Sequence, residues 1–354
     1  MSEELRRHRQ CIDALDDEIV RLLNERASHA QAIGKLKDAV IYRPEREAQV
    51  LRRVQANNPG PLTNDVVGRL MREIMSACLA LEKELLVAYV GPAGTFTQTA
   101  AVKHFGQSVR TEACALWEDV FRQVEAEHAD YGVVPVENST FGAENRTLDL
   151  LLQSPLKVCG EVPLRIHQHL LRRGEGLEDI RRVYSHAQSF GQCHEWLNQH
   201  LPGVSRVAVA SNAEAARLAG QEAGAAAIAG EAAASLYGLS ILAQNIEDDP
   251  NNTTRFLVIG RHDAAPSGRD KTSLILSATN RPGAIVELLS PFARNGVSMT
   301  KLESRPSRMG PWEYVFFVDI EGHRQDEAVA RSLDELRAHA AFVKILGSYP
   351  AAVL

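Results

Sequence analysis

A seven-residue apolar repeat near the N-terminus constrains the fold more than any other feature of this sequence. Between residues 4 and 37, Leu5, Ile12, Ile19 and Ile33 fall in one column, and Leu15, Leu22 and Leu36 fill the column three residues on. This spacing predicts one long amphipathic helix with a seam-like apolar face. Such a helix is about 50 Å long at 1.5 Å per residue, too long for a short helical segment to cover by itself. The chain is therefore expected to pair this helix with a second copy, as a homodimer or higher homo-oligomer. Two residues break the seam: Arg26 in the first column and His29 in the second. A guanidinium inside an apolar column costs stability unless it meets an anion. Arg9 and Arg26 are about 25 Å apart along one straight helix. They cannot touch one small ligand from the same chain, whereas an antiparallel partner helix brings Arg9 of one chain to Arg26 of the other.

The rest of this segment also reads as helical. Pro44 opens a helix through Leu51 and Val54, and the NNPGP run of Asn57 to Pro61 stops it. An Asn64 cap starts a third, with Val67, Leu70, Ile74, Cys78, Leu81 and Leu85 on one face. From Leu85 the pattern changes to β-rich runs, LLVAYVG, YGVVPVE, VPLRIHQHLL, RVYSH, GAAAIAG and RFLVIG, alternating with helical stretches. That alternation predicts an α/β domain with a mostly parallel sheet. HDAAPSGRD, from His262 to Asp270, is a polar linker. Beyond it come TSLILSA, a helix from Gly283 to Asn295, VSMTKLES, EYVFFVDI, a helix from Asp326 to Ala341, and FVKILGSY. The order βαββαβ is the ferredoxin-like plan. The expected fold class is thus multidomain: all-α over 1–84, α/β over 86–262 and α+β over 271–354.

Charge and cysteine usage exclude several function classes. Residues 1–84 hold 14 Lys+Arg and 14 Asp+Glu, which leaves 39 − 14 = 25 against 45 − 14 = 31 for the remainder. Neither part has the basic excess of a phosphate-backbone binder, so no nucleic acid partner is expected. The five cysteines are scattered with no C-x-x-C pair, which fits a reducing cytoplasm better than a disulfide framework or cysteine zinc site. MSEELRRHRQ leads into no signal-like apolar core and no window of 18 uninterrupted apolar residues occurs, so neither export nor membrane insertion is expected. His167 and His169 alternate on a predicted strand, but no carboxylate or cysteine spacing completes a metal set. P-loop, H-E-x-x-H and G-x-S-x-G signatures are all missing. No cofactor and no metal are expected.

The cationic residues beside the helical seams are Arg9, Arg26, Lys37 and Arg46. The runs that carry them, IDALDDEIVRLLNERASHAQAIGKLK and YRPEREAQVL, resemble the all-helical class of chorismate mutase. That resemblance implies a dimer whose site draws on both chains: Arg9 from the partner, with Arg26, Lys37, Arg46, Glu47 and Glu82. The chemistry fits, because chorismate to prephenate is a pericyclic shift of a dianion. It needs cations to hold two carboxylates in the folded conformer and donors at the ether oxygen, but no nucleophile. Glu82 stands where several relatives have Gln, and a carboxylate donates a hydrogen bond only when protonated. Arg43, where relatives often have Asp, is given no role.

In the α/β segment, polar clusters sit at the ends of apolar strands: Glu137-Asn-Ser-Thr140, Ser185-His-Ala-Gln188 and Asn251-Asn-Thr-Thr-Arg-Phe256. Each alone reads as loop capping rather than catalysis, yet strand ends are where open α/β sheets bind ligands, and three converge. Gly91-Pro-Ala-Gly94-Thr95-Phe96 follows a strand and leads into a helix, where exposed amides suit an anion. GPAGTFTQTAA, YGVVPVENST, YSHAQSFGQC and NTTRFLVIG together resemble prephenate dehydratase, which implies two lobes around a cleft, as in a periplasmic binding protein. By that match Thr254 is the catalytic threonine, Arg255 and Phe256 complete its motif, and Glu137, Asn138, Ser185, Gln188 and Gln192 are polar site positions. Arg255 is assigned to the pyruvyl carboxylate of prephenate, with a structural pair to a lobe carboxylate as the alternative. Phe141 replaces a common Glu, and Ala187 a common Pro.

Asn280-Arg-Pro-Gly-Ala-Ile-Val286 and Glu303-Ser-Arg-Pro306 are similar to the two signatures of the ACT regulatory domain. The resemblance implies phenylalanine bound near Gly283, Ala284, Leu302, Glu303 and Ser304 at an interface between chains. The three families occur here in the order of the bifunctional chorismate mutase-prephenate dehydratases of phenylalanine biosynthesis. Chorismate, prephenate and allosteric phenylalanine are then the expected small-molecule partners. Two alternatives stay open: an arogenate dehydratase, and a phenylalanine sensor whose enzyme sites have decayed.

Overall fold

The apolar columns are realised as one helix, α1 (Glu3–Gly34), in a computed structural model that describes residues 3–36, 42–279, 281–306 and 314–353. No residue of α1 is buried within the chain, and Ile12, Leu15, Ile19 and Ile33 are each more than half exposed. Two shorter helices follow, α2 (Pro44–Ala56) and α3 (Asn64–Ala80). Pro44 sits in the first turn of α2, where its missing N–H has no intrahelical partner to lose, and Glu45 and Glu47 beside it suit the positive end of the helix dipole. The cap of α3 differs from expectation: Thr63, not Asn64, is the extended cap residue, and its Oγ1 accepts from the Val66 N–H at 3.4 Å.

Two lobes come next. The first holds β1 (Leu86–Val90), α4 (Phe96–Phe105), β2 (Arg110–Cys114), α5 (Trp117–Glu125), β3 (Tyr131–Asn138), β4 (Gly142–Ala143), α6 (Asn145–Gln153) and β5 (Lys157–Arg165). The second holds β6 (His169–Arg172), β7 (Arg182–His186), α7 (Ala187–Gln192), α8 (His194–His200), β8 (Ser205–Val209), α9 (Asn212–Gln221), β9 (Ala225–Ala229), α10 (Glu231–Tyr237) and β10 (Ser240–Ala243). The chain then returns to the first lobe as β11 (Thr253–Gly260). The sheet orders are β2-β1-β3-β11-β5 and β10-β6-β9-β7-β8. Both are mixed rather than mostly parallel, since β11 runs antiparallel to β3 and β5, and β6 antiparallel to β9 and β10. The cause is the double crossing between lobes, which brings strands in from the cleft side. It also splits the run VPLRIHQHLL, which ends β5 in one sheet and forms β6 in the other. His167 therefore lies in the crossover, not on a strand with His169.

The C-terminal part comprises β12 (Asp270–Ser277), α11 (Ala284–Arg294), β13 (Met299–Pro306), β14 (Tyr314–Glu321), α12 (Glu327–His339) and β15 (Phe342–Pro350). Its sheet, β13-β14-β12-β15, has the expected ferredoxin-like order with β13 at one edge. It shares a core with the first lobe, where Val134, Leu148 and Leu257 pack with Phe317, Leu346 and Tyr349. Approach is closest at Gly347, where an added Cβ would lie 2.1 Å from the Val158 carbonyl oxygen. Only glycine fits there.

The helical part is joined to the lobes just as tightly. Tyr42 is buried against Phe105 and Tyr131, with ring centroids 5.1 and 5.4 Å away, and its hydroxyl lies 3.1 Å from His104 Nε2. Arg52 of α2 donates to the Ser267 and Arg269 carbonyls at 3.1 and 2.8 Å, which fixes the linker. Burial, helped by the Arg72 charge, pushes the His104 pKa from 6.5 down to about 3. The folded state thus favours neutral His104, so its contribution to stability is complete above pH 6.5 and is lost as pH falls from there towards 3. One such proton is worth up to about 1.4 kcal/mol per pH unit. Urea midpoints measured at pH 7 and pH 5 should converge in His104→Gln relative to wild type; equal pH dependence in both proteins would refute this assignment.

Candidate active sites

A cavity of about 440 Å³ lies between α1, α2 and α3. Both seam-breaking residues of α1, Arg26 and His29, face it, joined by Arg46 and Arg53 of α2, Arg43 before α2, and Glu82 after α3. Arg26 Nη1 is buried and meets no acceptor among the described residues. A buried donor left unmet costs about 1–3 kcal/mol or more, so Arg26 Nη1 is open to an acceptor that the described residues do not supply. Glu47 lines the cavity too, but Arg72 Nε holds its carboxylate at 3.2 Å. Burial pushes the Glu47 carboxyl upward, with Arg72 opposing. Glu82 packs its carboxylate on Gly34, where a Cβ would come within 2.8 Å of Oε2. Arg9 lies on the same helix as Arg26 but outside this cavity, and Lys37 falls outside the described residues.

A second cavity, of about 210 Å³, separates the two lobes. Thr254 and Phe256 at the start of β11 and Asn138 at the end of β3 face it from one side. Gln188, Ser189 and Gln192 face it from α7. The Asn138 side chain is held at both ends. Its Oδ1 accepts the Thr140 and Phe141 N–H groups at 3.0 and 3.1 Å, and its Nδ2 donates to Thr254 Oγ1 at 2.9 Å and Asn252 Oδ1 at 2.8 Å. The Thr254 oxygen is thereby an acceptor of one hydrogen bond, and its own hydrogen is left for another partner. Thr95 to Thr97 and Ser211 to Asn212 also line the cleft, so the N-termini of α4 and α9 open onto it. Thr95 forms no side-chain cap on α4, its Oγ1 donating instead to the Pro92 carbonyl at 3.0 Å. Among its described lining residues the cleft has no Lys, Arg, Asp or Glu. Negative charge there meets helix N-termini and neutral donors.

Sequence reasoning missed the amide network beneath the cleft. Gln168, buried in the crossover, donates to Ser189 Oγ at 3.0 Å and Gln192 Oε1 at 2.9 Å, and Asn212 donates to Ser189 Oγ at 2.8 Å. Ser185 is fully buried and donates to Asn212 Oδ1 at 3.1 Å; it supports Asn212 rather than facing the cleft. The signal available was a Gln between two histidines inside an apolar run.

Three family models match the chain in sequence: chorismate mutase type II over residues 8–83, prephenate dehydratase over 87–264 and an ACT domain over 272–338. The bifunctional chorismate mutase/prephenate dehydratase of Neisseria gonorrhoeae is 57% identical over 98% of this chain and 97% of its own length. The chain belongs to the bifunctional chorismate mutase/prephenate dehydratase family. The namesake from Stutzerimonas stutzeri is 53% identical over 100% of this chain and 99% of its own. Among solved structures, a prephenate dehydratase from Arthrobacter aurescens in complex with L-Phe aligns with TM-score 0.70 and 33% identity, covering 76% of this chain and 90% of that one. The protein is thus a two-activity enzyme, chorismate mutase and prephenate dehydratase, with an ACT domain.

Besides Ser185, two residues assigned to the dehydratase site lie elsewhere. Arg255 follows Thr254 on a strand and so points to the opposite face. There it meets Glu137 at 2.9 Å, Glu161 at 2.8 Å and Asp319 at 2.5 Å. Although burial opposes its charge, Tyr349, Asp319 and Glu161 keep the guanidinium protonated far above its usual range. Glu137 is turned the same way, and against the cost of burial Lys301 and Arg255 hold its carboxyl below the usual range. The structural alternative therefore describes Arg255, and neither residue binds in the cleft. Phe141 is half-exposed at the loop tip, with its ring 3.9 Å from a Cβ built on Gly191 of the opposite lobe; it brings no acid to the cleft.

In the ACT domain, Gly283 caps α11 with φ +81 and Ala284 begins the helix. Leu302 and Ser304 lie on the exposed side of edge strand β13. Glu303 alternates with them and shares the half-buried side with Lys301 and Arg305. Among the described residues no helix is long and apolar enough to cross a membrane, and no cluster of three or more His, Cys, Asp or Glu gathers as for a metal ion.

Proposed function

We propose that the mutase site is shared between two chains, that Thr254 assists loss of hydroxide from prephenate in the cleft, and that phenylalanine at the ACT domain restrains this second step. Arg26 and Arg46 of the mutase cavity, together with Lys37 and with Arg9 of the partner, hold the two carboxylates of chorismate, while Glu47 and Glu82 complete the wall around the ether oxygen. The bare apolar columns of α1 supply the reason for a partner helix.

The observation that carries the dehydratase reading is the Asn138–Thr254 hydrogen bond in a cleft whose described lining has no Lys, Arg, Asp or Glu. Loss of carbon dioxide needs a ring carboxylate that is not stabilised by a cation, because a tight clamp would favour the ground state. Thr254 then donates to the departing hydroxyl while Asn138 steadies its oxygen. Gln188, Gln192 and the N-terminus of α4 bind the pyruvyl end, Phe256 packs on the ring, and Ser185 supports the wall through Asn212. The pyruvyl group, with no ammonium to satisfy, suits a cleft that offers no carboxylate, which favours prephenate over arogenate. Phenylalanine is assigned to Gly283, Ala284, Leu302, Glu303 and Ser304 at an interface of two ACT domains, and the enzyme to the cytoplasm. Domain bounds of 1–84, 86–262 and 271–354 accompany this reading.

Incubating the protein with chorismate alone, with and without phenylalanine, tests it. Phenylpyruvate should form and its formation should slow when phenylalanine is added. Prephenate accumulating as the sole product would overturn the dehydratase reading and favour the sensor or the arogenate alternative.

A further inference from the structure

Asn138 pairs with Thr254 and Glu137 with Arg255 across the β3–β11 ladder. Side chains alternate along strands, so one pair of neighbours faces the cleft and the next faces the ACT domain. On the ACT side a closed charge cluster forms. Glu137 accepts from Arg255 Nη1 at 2.9 Å and from Lys301 Nζ at 2.6 Å. Arg255 also meets Asp319 of β14 at 2.5 Å and donates to the Tyr349 hydroxyl of β15 at 2.8 Å. Glu161 of β5 joins through Arg255 Nε at 2.8 Å and Lys271 Nζ at 2.9 Å. Three cations thus balance three carboxylates, and Arg255, Lys301, Asp319 and Glu161 are each largely shielded from water. Removing one member from such a set leaves another charge buried without its partner.

We infer that Glu137 and Arg255 are positioning residues that carry the state of the ACT domain to the Asn138–Thr254 pair, with Lys301 and Asp319 as the ACT-side contacts. This rests on the phenylalanine reading given above. Lys301 immediately precedes Leu302 on the edge strand, so a ligand that reseats Leu302 and Ser304 shifts the ammonium that Glu137 holds. Glu137 adjoins Asn138, whose amide fixes the Thr254 oxygen, so the displacement reaches the hydroxyl through one peptide unit. A charge cluster that is either closed or broken supplies the two discrete arrangements that coupling between sites requires.

The test compares full-length wild type, Lys301→Met, Lys301→Arg and Asp319→Asn, with thermal melts confirming the fold. Phenylalanine binding is read by calorimetry, and dehydratase turnover is read with and without saturating phenylalanine. Lys301→Met and Asp319→Asn should bind phenylalanine and turn over uninhibited prephenate within about threefold of wild type, yet lose at least about fivefold of the inhibition, the lower end of usual allosteric coupling. Lys301→Arg should stay inhibited. Wild-type inhibition in both neutral variants would overturn the inference alone. Loss of phenylalanine binding in Lys301→Met would overturn it too, by placing Lys301 in the ligand seat. No phenylalanine binding by the wild type would overturn the regulatory reading and the inference with it.

Discussion

Thr254→Val should lower dehydratase turnover by roughly 100- to 10,000-fold while leaving chorismate mutase activity within about twofold of wild type. Valine keeps the branched shape and the β11 backbone, so neither the β3–β11 ladder nor the packing of Phe256 should change. What it removes is the hydroxyl hydrogen left free by the Asn138 amide. The loss should fall on kcat, because a donor to departing hydroxide acts in the transition state and little before it. Thr254→Ser, which retains the hydroxyl, should recover most of the turnover. Among the described residues the mutase cavity and the cleft share no lining residue, so the two activities report separately. Steady-state rates on prephenate and chorismate for the three proteins check this. Valine turning over at the serine rate would show that the hydroxyl has no part in the chemistry.

The sequence made legible what depends on local periodicity and local motif. The heptad columns gave α1, the Pro and Gly punctuation gave α2, and the βαββαβ order gave the ACT sheet. The Glu137-Asn-Ser-Thr140 run was rightly placed at a strand end, and the structure supplies its physical sense: an Asx-type turn holds the Asn138 carbonyl so that its amide reaches Thr254. What stayed hidden depends on which way a side chain faces across a domain boundary. Glu137 and Arg255 belong to the same motifs as Asn138 and Thr254, and only the pleat together with the ACT domain behind it separates the two pairs. Gln168 and Asn212 carry no local signal, because one lies in an apolar run and the other reads as an ordinary helix start; their role appears once the crossover brings both beneath α7. The burial of Tyr42 among lobe aromatics, 62 residues from His104, is likewise a long-range fact with no local signal.

Arg9→Ala and Arg26→Ala should each reduce chorismate mutase kcat/KM by at least roughly 100-fold as homodimers, since each removes a cation from a preorganised site. The decisive result comes from a heterodimer of the two, isolated by tandem affinity tags. If each site takes Arg26 from its own chain and Arg9 from the partner, one site in the heterodimer keeps both arginines and the other keeps neither. About half of the wild-type activity per dimer should return. A site built within one chain predicts instead that every site in the heterodimer lacks one arginine, so activity stays at the level of the parents. The geometry favours the first outcome for two reasons. Arg9 stands about 25 Å along α1 from Arg26, beyond the reach of one small dianion. Arg26 keeps a buried Nη1 that no acceptor among the described residues meets, beside apolar columns that the chain leaves exposed. Dehydratase activity should survive in all three proteins, because neither Arg9 nor Arg26 is among the described residues that line its cleft, and that survival separates loss of the shared site from loss of the fold.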